Sequence, residues 1–223
     1  MTSQQTLSIE RPAVPAALEE TRVVAILRRT EAARAVDTAR AILAGGVRAI
    51  EVTCDSPGVL GMIRAISEAF GDQMLVGAGT VLDVETAEAA LDAGARYIVS
   101  PHTDPDLVGA MARRGVPCVP GAFTPTEALT AWRAGAALVK LFPASGVGPG
   151  YLKDLRGPLR QIPFLPTGGV TLDNAAAFIA AGAWGLGIGS ALVDQPLIDA
   201  GRFDELTRRA AGFIAAAAVA RGR

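Results

Sequence analysis

One structural unit recurs along the chain: a helix-like stretch, an Ala-Gly pair, one further residue, a short apolar strand, and a loop of small residues or proline. The pair stands in this place at Ala44-Gly45, Ala93-Gly94, Ala134-Gly135 and Ala181-Gly182. Glycine adopts the left-handed conformation that commonly ends a helix, so each pair predicts a helix end followed by a strand. Along the whole chain, the pattern predicts eight strands that alternate with eight helices. They include a fifth strand over Pro117–Val119, stopped by Pro120, and helices over Pro57–Phe70, Gly150–Arg156 and about 202–221.

Eight strand–helix units without a long linker predict an α/β fold, a single (β/α)₈ TIM barrel in which residues 1–223 form one domain. Residues 1–21 precede the first strand as a lead-in segment, with a short helix near Ala13–Glu20. A doubly wound open sheet is the alternative. It is less favoured because the Gly-rich loops follow many strands and not the first one alone. In a TIM barrel, the active site lies at the carboxyl ends of the strands.

The composition excludes several classes of function. Half of the residues are apolar and the net charge is −1, so no basic surface indicates binding to nucleic acid. No apolar run approaches the roughly 20 residues that span a membrane, and the polar residues 1–10 do not resemble a signal peptide. Cys54 and Cys118 are too few for a disulfide framework, which favours a cytoplasmic protein. His102 is the only histidine, so a metal site built on several histidines is excluded and we predict no metal.

Lys140 is a charged residue inside the apolar run Leu138–Phe142, which reads as a short buried strand. The chain has only one other lysine, Lys153, and its remaining basic side chains are arginines. Arginine does not lose its proton and cannot become a nucleophile, whereas a desolvated lysine can. The alternative is a lysine at a strand end that extends its amine into water.

A carboxylate is predicted to face this amine. Glu51 and Thr53 share one face of the strand Arg48–Thr53 by the two-residue period of a strand, and Lys140 lies on one face of its own strand. If both faces point into the barrel, the pattern favours a Schiff-base lysine with a carboxylate acid/base beside it. A buried ion pair that only satisfies both charges is the alternative.

Several loops at the predicted strand ends carry candidate binding residues. Pro166–Gly169 follows the seventh strand and Gly187–Ser190 follows the eighth, which is the usual phosphate site of this barrel. The small residues Gly77–Gly79 at the end of the third strand leave room for a ligand. Thr80 after them offers a hydroxyl to a ligand or caps the next helix. Arg28 ends the first strand, where it binds a substrate carboxylate or lies in solvent.

Taken together, these segments resemble the 2-keto-3-deoxy-6-phosphogluconate (KDPG) aldolases, grouped with the 4-hydroxy-2-oxoglutarate aldolases and the 2-keto-3-deoxy-6-phosphogalactonate (KDPGal) aldolases. The resemblance extends from about residue 20 to the C-terminus. The matching stretches are Val24–Arg28, Gly45–Thr53, Val76–Leu82, Ile98–His102, Val119–Gly121, Val139–Pro143, Leu165–Val170 and Gly187–Leu192.

The resemblance implies a lyase, a class I aldolase that cleaves KDPG to pyruvate and glyceraldehyde 3-phosphate, with 4-hydroxy-2-oxoglutarate as a further candidate substrate. It implies that Lys140 forms the Schiff base and that Glu51 moves protons. Substrate-binding candidates are Arg28, Thr53, Thr80, Pro101, Phe142 and Thr167; phosphate-binding candidates are Gly168, Gly169, Gly189 and Ser190. It also implies a homotrimer, no cofactor beyond the covalent Schiff base, and a place in the Entner–Doudoroff pathway of carbohydrate metabolism.

One position departs from part of the family. Some members carry an arginine four residues after the catalytic glutamate to hold the pyruvate carboxylate, and this chain has Asp55 there. We therefore predict that Arg28 takes the carboxylate. The loop Gly146–Tyr151 resembles the galactonate branch, so a KDPGal aldolase is an alternative. Two alternatives from other classes are a phosphate-binding isomerase or epimerase and a barrel that only binds a phosphorylated ligand.

Overall fold

The computed structural model describes residues 10–219, in which short parallel strands alternate with helices. The strands are β1 Val23–Leu27, β2 Ala49–Thr53, β3 Leu75–Gly79, β4 Ile98–Val99, β5 Cys118–Val119, β6 Gly121–Ala122, β7 Val139–Leu141, β8 Phe164–Pro166 and β9 Leu186–Ile188. The helices are α1 Ala16–Thr21, α2 Ala32–Ala44, α3 Val59–Phe70, α4 Val84–Asp92, α5 Pro105–Arg113, α6 Pro125–Arg133, α7 Gly148–Arg156, α8 Leu172–Ala180, α9 Gln195–Asp199 and α10 Phe203–Val219, with 3₁₀ turns at Gly71–Gln73 and Ala144–Gly146.

The strands form an α/β fold in which a six-stranded parallel sheet curls as a half-barrel. Its strand order is β5-β4-β3-β2-β1-β9, and a second parallel sheet has the order β6-β7-β8. The Thr167–Gly187 bridge pairs the residue after β8 with β9. All sheet pairings are parallel, so the carboxyl ends of β1, β2, β7, β8 and β9 lie at the same edge.

The prediction of one fifth strand, over Pro117–Val119, is wrong in its extent. The structure has two short strands there, β5 and β6, separated by Pro120. Proline has no N–H to donate to a ladder, so the pairing is interrupted at this residue. Its carbonyl oxygen still accepts a hydrogen bond from Lys140 N at 2.9 Å. The described residues therefore contain nine named strands in place of the predicted eight.

Glycines end the helices, as the repeated unit predicts, with one shift. Gly94, Gly135 and Gly182 have φ of 107°, 105° and 96°, which is the left-handed region. In the first unit it is Gly46, with φ of 95°, that takes this conformation, while Gly45 has φ of −82°. Gly45 is required for a different reason, because a Cβ there would overlap the Ala210 side chain of α10.

Two helix predictions also need correction, and one helix was missed. The helix predicted over Pro57–Phe70 begins at Val59, because Gly58 before it has a left-handed φ of 71°. The helix predicted over Gly150–Arg156 begins earlier, at Gly148. The five-residue α9 was not predicted. Of the last helix, predicted over about 202–221, residues 203–219 are helical and the remainder lies outside the described residues, as do residues 1–9 of the lead-in segment.

Apolar side chains fill both faces of the strands. An outer cluster packs the strands against the helices, and it contains Ile50 and Val52 of β2 and Val139 and Leu141 of β7. An inner cluster contains Ala49 of β2 and Leu138 beside β7. By the two-residue period, Glu51 lies on the inner face with Ala49, and Lys140 lies on the inner face with Leu138. No helix in residues 10–219 has the length and apolar character needed to cross a membrane.

Candidate active site

A cavity of about 640 Å³ opens at the carboxyl ends of the strands. Its walls come from β1, β2 and β7 and from the loops after β8 and β9. It brings together ten of the twelve predicted site residues: Arg28, Glu51, Thr53, Lys140, Phe142, Thr167, Gly168, Gly169, Gly189 and Ser190. A cavity of this size accommodates a small organic acid and its phosphate group.

Lys140 and Glu51 form a buried ion pair on the cavity wall. Lys140 Nζ lies 3.7 Å from Glu51 Oε1, and the two residues are 5% and 2% exposed. Oε1 accepts no hydrogen bond from any described residue. The Phe142 ring lies 5.0 Å from Nζ and covers one side of the amine. An amine and a carboxylate therefore stand together in a largely water-free wall, and one oxygen of the carboxylate is buried without a hydrogen-bond donor among the described residues.

Glycines of β3 create the space for this pair. The register of β2 and β3 sets Thr53 opposite Gly79 and Glu51 opposite Gly77. A Cβ on Gly79 would overlap Oε1 of Glu51, so the carboxylate lies flat across the glycine. We expected these small residues to leave room for a ligand, but the room at Gly79 is filled by Glu51.

Tyr97 is a second side chain that depends on a glycine of β3, and sequence analysis did not identify it. A Cβ on Gly77 would overlap its ring. The hydroxyl is fully buried and donates a hydrogen bond to the carbonyl oxygen of Ile50 at 2.9 Å. Burial, reinforced by the charge of Glu51, raises the pKa of Tyr97 well above its usual value. Tyr97 therefore stays a neutral donor and fixes the backbone next to Glu51.

Replacement of Gly79 by alanine is expected to displace the Glu51 carboxylate. The added methyl occupies the position of Oε1, and a shift of about 1 Å in a catalytic group costs roughly 10²-fold in rate. The measurement is the kcat of each variant, together with its pH profile. Gly61→Ala is the control, because a Cβ at Gly61 meets no atom within 4 Å. Equal kcat and pH profiles for Gly79→Ala and Gly61→Ala would contradict this account.

Arg28 lies at the mouth of the cavity, held by two side chains. Its Nη2 donates a hydrogen bond to Thr80 Oγ1 at 3.1 Å, and its Nε lies 3.5 Å from Asp55 Oδ2. The alternative interpretation of Thr80 as a helix cap is wrong, because Asp83 caps α4 by accepting a hydrogen bond from Thr86 N. Thr80 does not line the cavity, so the structure places it behind Arg28. Asp55, the residue that departs from the family pattern, is an ionic partner of Arg28.

Thr53 lines the cavity, but its hydroxyl is engaged within the protein. Oγ1 donates to the carbonyl oxygen of Leu27 at 3.3 Å and lies 3.2 Å from Ser56 Oγ. Ser56 Oγ in turn accepts a hydrogen bond from Arg29 N at 2.8 Å. Thr53 therefore ties β2 to the turn after β1, and this turn carries Arg28.

The glycine-rich loops after β8 and β9 meet at the side of the cavity opposite to β3. Gly168 and Gly169 have positive φ of 86° and 75°, which side chains with a Cβ adopt only under strain. A Cβ on Gly187 of β9 would overlap Thr167 Oγ1, so Thr167, directly after β8, packs tightly against β9. Gly189 and Ser190 continue this wall. Glycine-rich loops in this position are typical of a phosphate site, because their backbone N–H groups can approach an anion closely.

Pro101 is the other predicted site residue that does not line the cavity. It follows β4, and its carbonyl oxygen occupies the space that a Cβ on Gly121 would need. His102 beside it is exposed, and its carbonyl oxygen accepts a hydrogen bond from Ser100 Oγ at 2.7 Å. Neither side chain is therefore placed to touch a ligand in this cavity.

Further residues complete the lining and were not predicted: Ile26, Arg29, Val170, Thr171, Ala191, Val193, Asp194, Gln195 and Pro196. Most of these residues directly flank predicted site residues or loops, and this proximity was the only sequence signal that could have identified them. Asp194 and Gln195 belong to the start of α9, which has no strong hydrophobic period. Within residues 10–219, no group of three or more His, Cys, Asp or Glu side chains is placed to hold a metal ion.

Comparison with known proteins agrees with this geometry. The family model for KDPG and KHG aldolases matches residues 14–209. The chain is 38% identical over 196 residues to the 2-dehydro-3-deoxy-6-phosphogalactonate aldolase of Escherichia coli K12, covering 87% of this chain and 93% of the relative. It is also 38% identical over 192 residues to the 2-dehydro-3-deoxy-phosphogluconate aldolase of Treponema pallidum, covering 86% and 91%.

Solved structures show the same likeness. A native KDPGal structure superimposes with a TM-score of 0.83 at 36% identity, covering 90% of this chain and 96% of that one. The Legionella pneumophila KDPG aldolase, captured with pyruvate as a covalent carbinolamine, superimposes with a TM-score of 0.83 at 28% identity, covering 89% and 96%. A family match over most of the chain, relatives above 30% identity and a shared fold lead to one conclusion: the chain belongs to the KDPG and KHG aldolase family.

Proposed function

We propose that this protein is a class I aldolase that cleaves a 2-keto-3-deoxy-6-phospho sugar acid to pyruvate and glyceraldehyde 3-phosphate. The observation that carries the proposal is the buried Lys140–Glu51 pair on the wall of a cavity with two glycine-rich loops. The identity of the relatives as lyases supports it. The inert-ion-pair alternative leaves unexplained why Oε1 of Glu51 has no hydrogen-bond partner among the described residues.

The chemistry follows from this arrangement. Glu51 accepts the ammonium proton of Lys140, and the amine attacks the C2 carbonyl of the substrate. The hydroxyl of the carbinolamine takes that proton and leaves as water, which gives an iminium. Glu51 accepts the proton of the C4 hydroxyl, the C3–C4 bond breaks, and its electron pair moves into the iminium to give an enamine. Glyceraldehyde 3-phosphate leaves, the protonated Glu51 returns its proton to C3 of the enamine, and water releases pyruvate from Lys140. The covalent lysine is the electron sink, so the cleavage step needs no cofactor.

The cavity divides into parts that suit the ends of the substrate. We assign the pyruvate carboxylate to Arg28, oriented by Thr80, and the flat face of the pyruvate unit to Phe142. We assign the sugar hydroxyls to Thr167 and the phosphate to the backbone of Gly168, Gly169 and Gly189 with the Ser190 hydroxyl. The role of Pro101 at the pyruvate unit rests on the family resemblance alone, and that of Thr53 as a binding residue rests on the strand face that it shares with Glu51. The position of Thr53 favours a role in supporting the turn that carries Arg28. Pro101 does not line the cavity, which favours no contact with the ligand.

Replacement of Arg28 by methionine is expected to raise the KM for pyruvate in the condensation direction roughly 10- to 100-fold, because a hydrogen bond to a charged group contributes about 1.5–3 kcal/mol. The kcat is expected to change less, since Arg28 does not touch the bond that breaks. Arg40→Met is the control, because Arg40 pairs with Asp37 on the exposed face of α2. An unchanged KM for pyruvate in Arg28→Met would remove Arg28 from the carboxylate site.

We further propose that the strands close into a single (β/α)₈ barrel that forms one domain. In this barrel, β5 and β6 together make up the fifth of the eight strands. The Thr167–Gly187 bridge and the hydrogen bond from Lys140 N to the Pro120 carbonyl support closure, because they connect the strands of both sheets. A homotrimer, a cytoplasmic location and a place in the Entner–Doudoroff pathway rest on the resemblance to the family. They remain predictions for this chain.

The proposed function is tested by incubating the purified protein with KDPG, KDPGal and 4-hydroxy-2-oxoglutarate separately and measuring pyruvate with lactate dehydrogenase and NADH. We expect pyruvate from one or both phosphorylated acids, and the ratio of kcat/KM values decides between the C4 epimers. The relatives include both a phosphogalactonate and a phosphogluconate aldolase at 38% identity, so neither epimer is favoured. Absence of pyruvate from all three acids would favour the isomerase, epimerase or ligand-binding alternatives.

A further inference from the structure

The side of the cavity that we assign to phosphate contains an unexpected negative charge. Among the described residues that line it, after β8 and β9, Asp194 is the only one with an ionisable side chain. A carboxylate next to a phosphate dianion is repulsive, and two like charges a few ångströms apart destabilise each other unless a cation compensates. The structure supplies this cation from outside the cavity.

Arg209 of α10 is that cation. Its Nη1 lies 3.2 Å from Asp194 Oδ2 and donates a second hydrogen bond to the carbonyl oxygen of Ala191 at 3.3 Å. The other carboxylate oxygen, Oδ1, accepts a hydrogen bond from Leu197 N at 3.1 Å. Both oxygens of Asp194 are therefore occupied, and Arg209 is not part of the cavity lining.

Arg209 is itself held firmly on α10. Its Nε lies 3.6 Å from Glu205 Oε1, one turn earlier on the same helix. The helix is fixed to α2, because Thr207 Oγ1 donates a hydrogen bond to the carbonyl oxygen of Ala41 at 2.9 Å. Arg209 and Asp194 side chains are each only 28% exposed, so their attraction is less screened than that of a surface pair.

We propose that Arg209 is a positioning residue for the phosphate end of the substrate. It fixes the segment 189–194, which we call the β9 loop, at Ala191 and at Asp194, and it neutralises the Asp194 carboxylate where the phosphate binds. This inference rests on the proposed function and deepens it. Affinity for the phosphorylated three-carbon aldehyde depends on Arg209, whereas the chemistry of pyruvate at Lys140 does not.

The test separates the two substrates of the reverse reaction, pyruvate and glyceraldehyde 3-phosphate. This direction is independent of which C4 epimer is natural. In Arg209→Met we expect the KM for glyceraldehyde 3-phosphate to rise roughly tenfold, the order that loss of a charge partner beside a ligand produces. The KM for pyruvate and the borohydride trapping of pyruvate on Lys140 are expected to stay at the wild-type values.

Arg208→Met is the matched control. Arg208 is the neighbouring residue on α10 and is 64% exposed, and its ionic partners are Asp204 and Glu205 of the same helix. Arg209→Lys keeps the charge and is expected to recover most of the affinity lost in Arg209→Met. Thermal unfolding of each variant measures any effect on stability.

The inference is overturned if Arg209→Met and Arg208→Met have equal KM values for glyceraldehyde 3-phosphate. It is also overturned if the KM values for both substrates rise together, since this indicates a general structural defect, or if Arg209→Lys recovers no affinity. Failure of the proposed function would be seen differently, as absence of pyruvate trapping in the wild-type protein.

Discussion

Replacement of Lys140 by arginine is expected to abolish aldol cleavage while leaving the fold intact. Arginine retains a positive charge beside Glu51, so the buried carboxylate keeps a partner. Its guanidinium stays protonated and does not form a carbinolamine. Removal of a covalent nucleophile lowers kcat by roughly 10⁵-fold or more. The measurement is pyruvate release under saturating substrate, with circular dichroism to verify that the variant is folded.

Lys153 is the natural control for this experiment. It is the only other lysine of the chain, and it lies exposed in the last turn of α7. Lys153→Arg is expected to retain wild-type kcat. If Lys140→Arg were folded and retained a substantial part of the activity, Lys140 would be no Schiff-base residue and the buried pair would be structural.

Replacement of Glu51 by glutamine is expected to lower kcat by about 10²–10⁴-fold, the range that a positioned acid/base contributes. Glutamine is nearly isosteric, so it fits over Gly79 as the carboxylate does. It does not accept the C4 hydroxyl proton, and it leaves Lys140 without its anionic partner. The most specific measurement is exchange of the pyruvate methyl protons in D₂O, which reports proton transfer at C3 without any need for cleavage.

The control for Glu51→Gln is Glu88→Gln. Glu88 of α4 forms an exposed ion pair with Arg114 at the end of α5, and neither residue lines the cavity. We expect its exchange rate to equal that of the wild type. Wild-type exchange in a folded Glu51→Gln protein would assign the proton transfer to another group.

Much of the site could be predicted because the residue pattern of each strand fixes the direction of its side chains. The two-residue period predicted one shared face for Glu51 and Thr53 and one face for Lys140. In the structure both faces point inward, and Lys140 Nζ lies 3.7 Å from Glu51 Oε1. The glycine-rich loops were predicted from their position after the last two strands. These features are local in sequence, so one strand and its loop contain the whole signal.

The remaining features depend on contacts between segments that are distant in the sequence. The partners of Arg28 are Asp55 and Thr80, which follow β2 and β3. Only the strand order, in which β2 lies between β1 and β3, reveals that they converge on Arg28. Arg209 reaches the β9 loop from α10. Arg208 precedes it directly on this helix, and no local sequence signal distinguishes the two arginines. The supporting role of Tyr97 is recognised only from the structure, in which its ring fills the space that a Cβ on Gly77 would need.

The interruption between β5 and β6 is caused by Pro120, but its effect on the strand was predicted wrongly. Proline was expected to stop the strand, whereas the chain resumes pairing one residue later as β6, next to Lys140. The carbonyl oxygen of Pro120 accepts the Lys140 N–H, so the missing donor of proline costs nothing at that bond. The pairing of Gly121 with Lys140 thereby fixes the position of the proposed nucleophile.

The central claim is that Lys140 forms a covalent iminium with pyruvate, and borohydride reduction tests it most directly. The protein is incubated with pyruvate, reduced, and examined by intact mass and peptide analysis, with Lys140→Arg treated in parallel. The account predicts one reduced pyruvate per chain, located on Lys140 and absent from Lys140→Arg. A folded wild-type protein without this adduct, or with the adduct on Lys153, would contradict it.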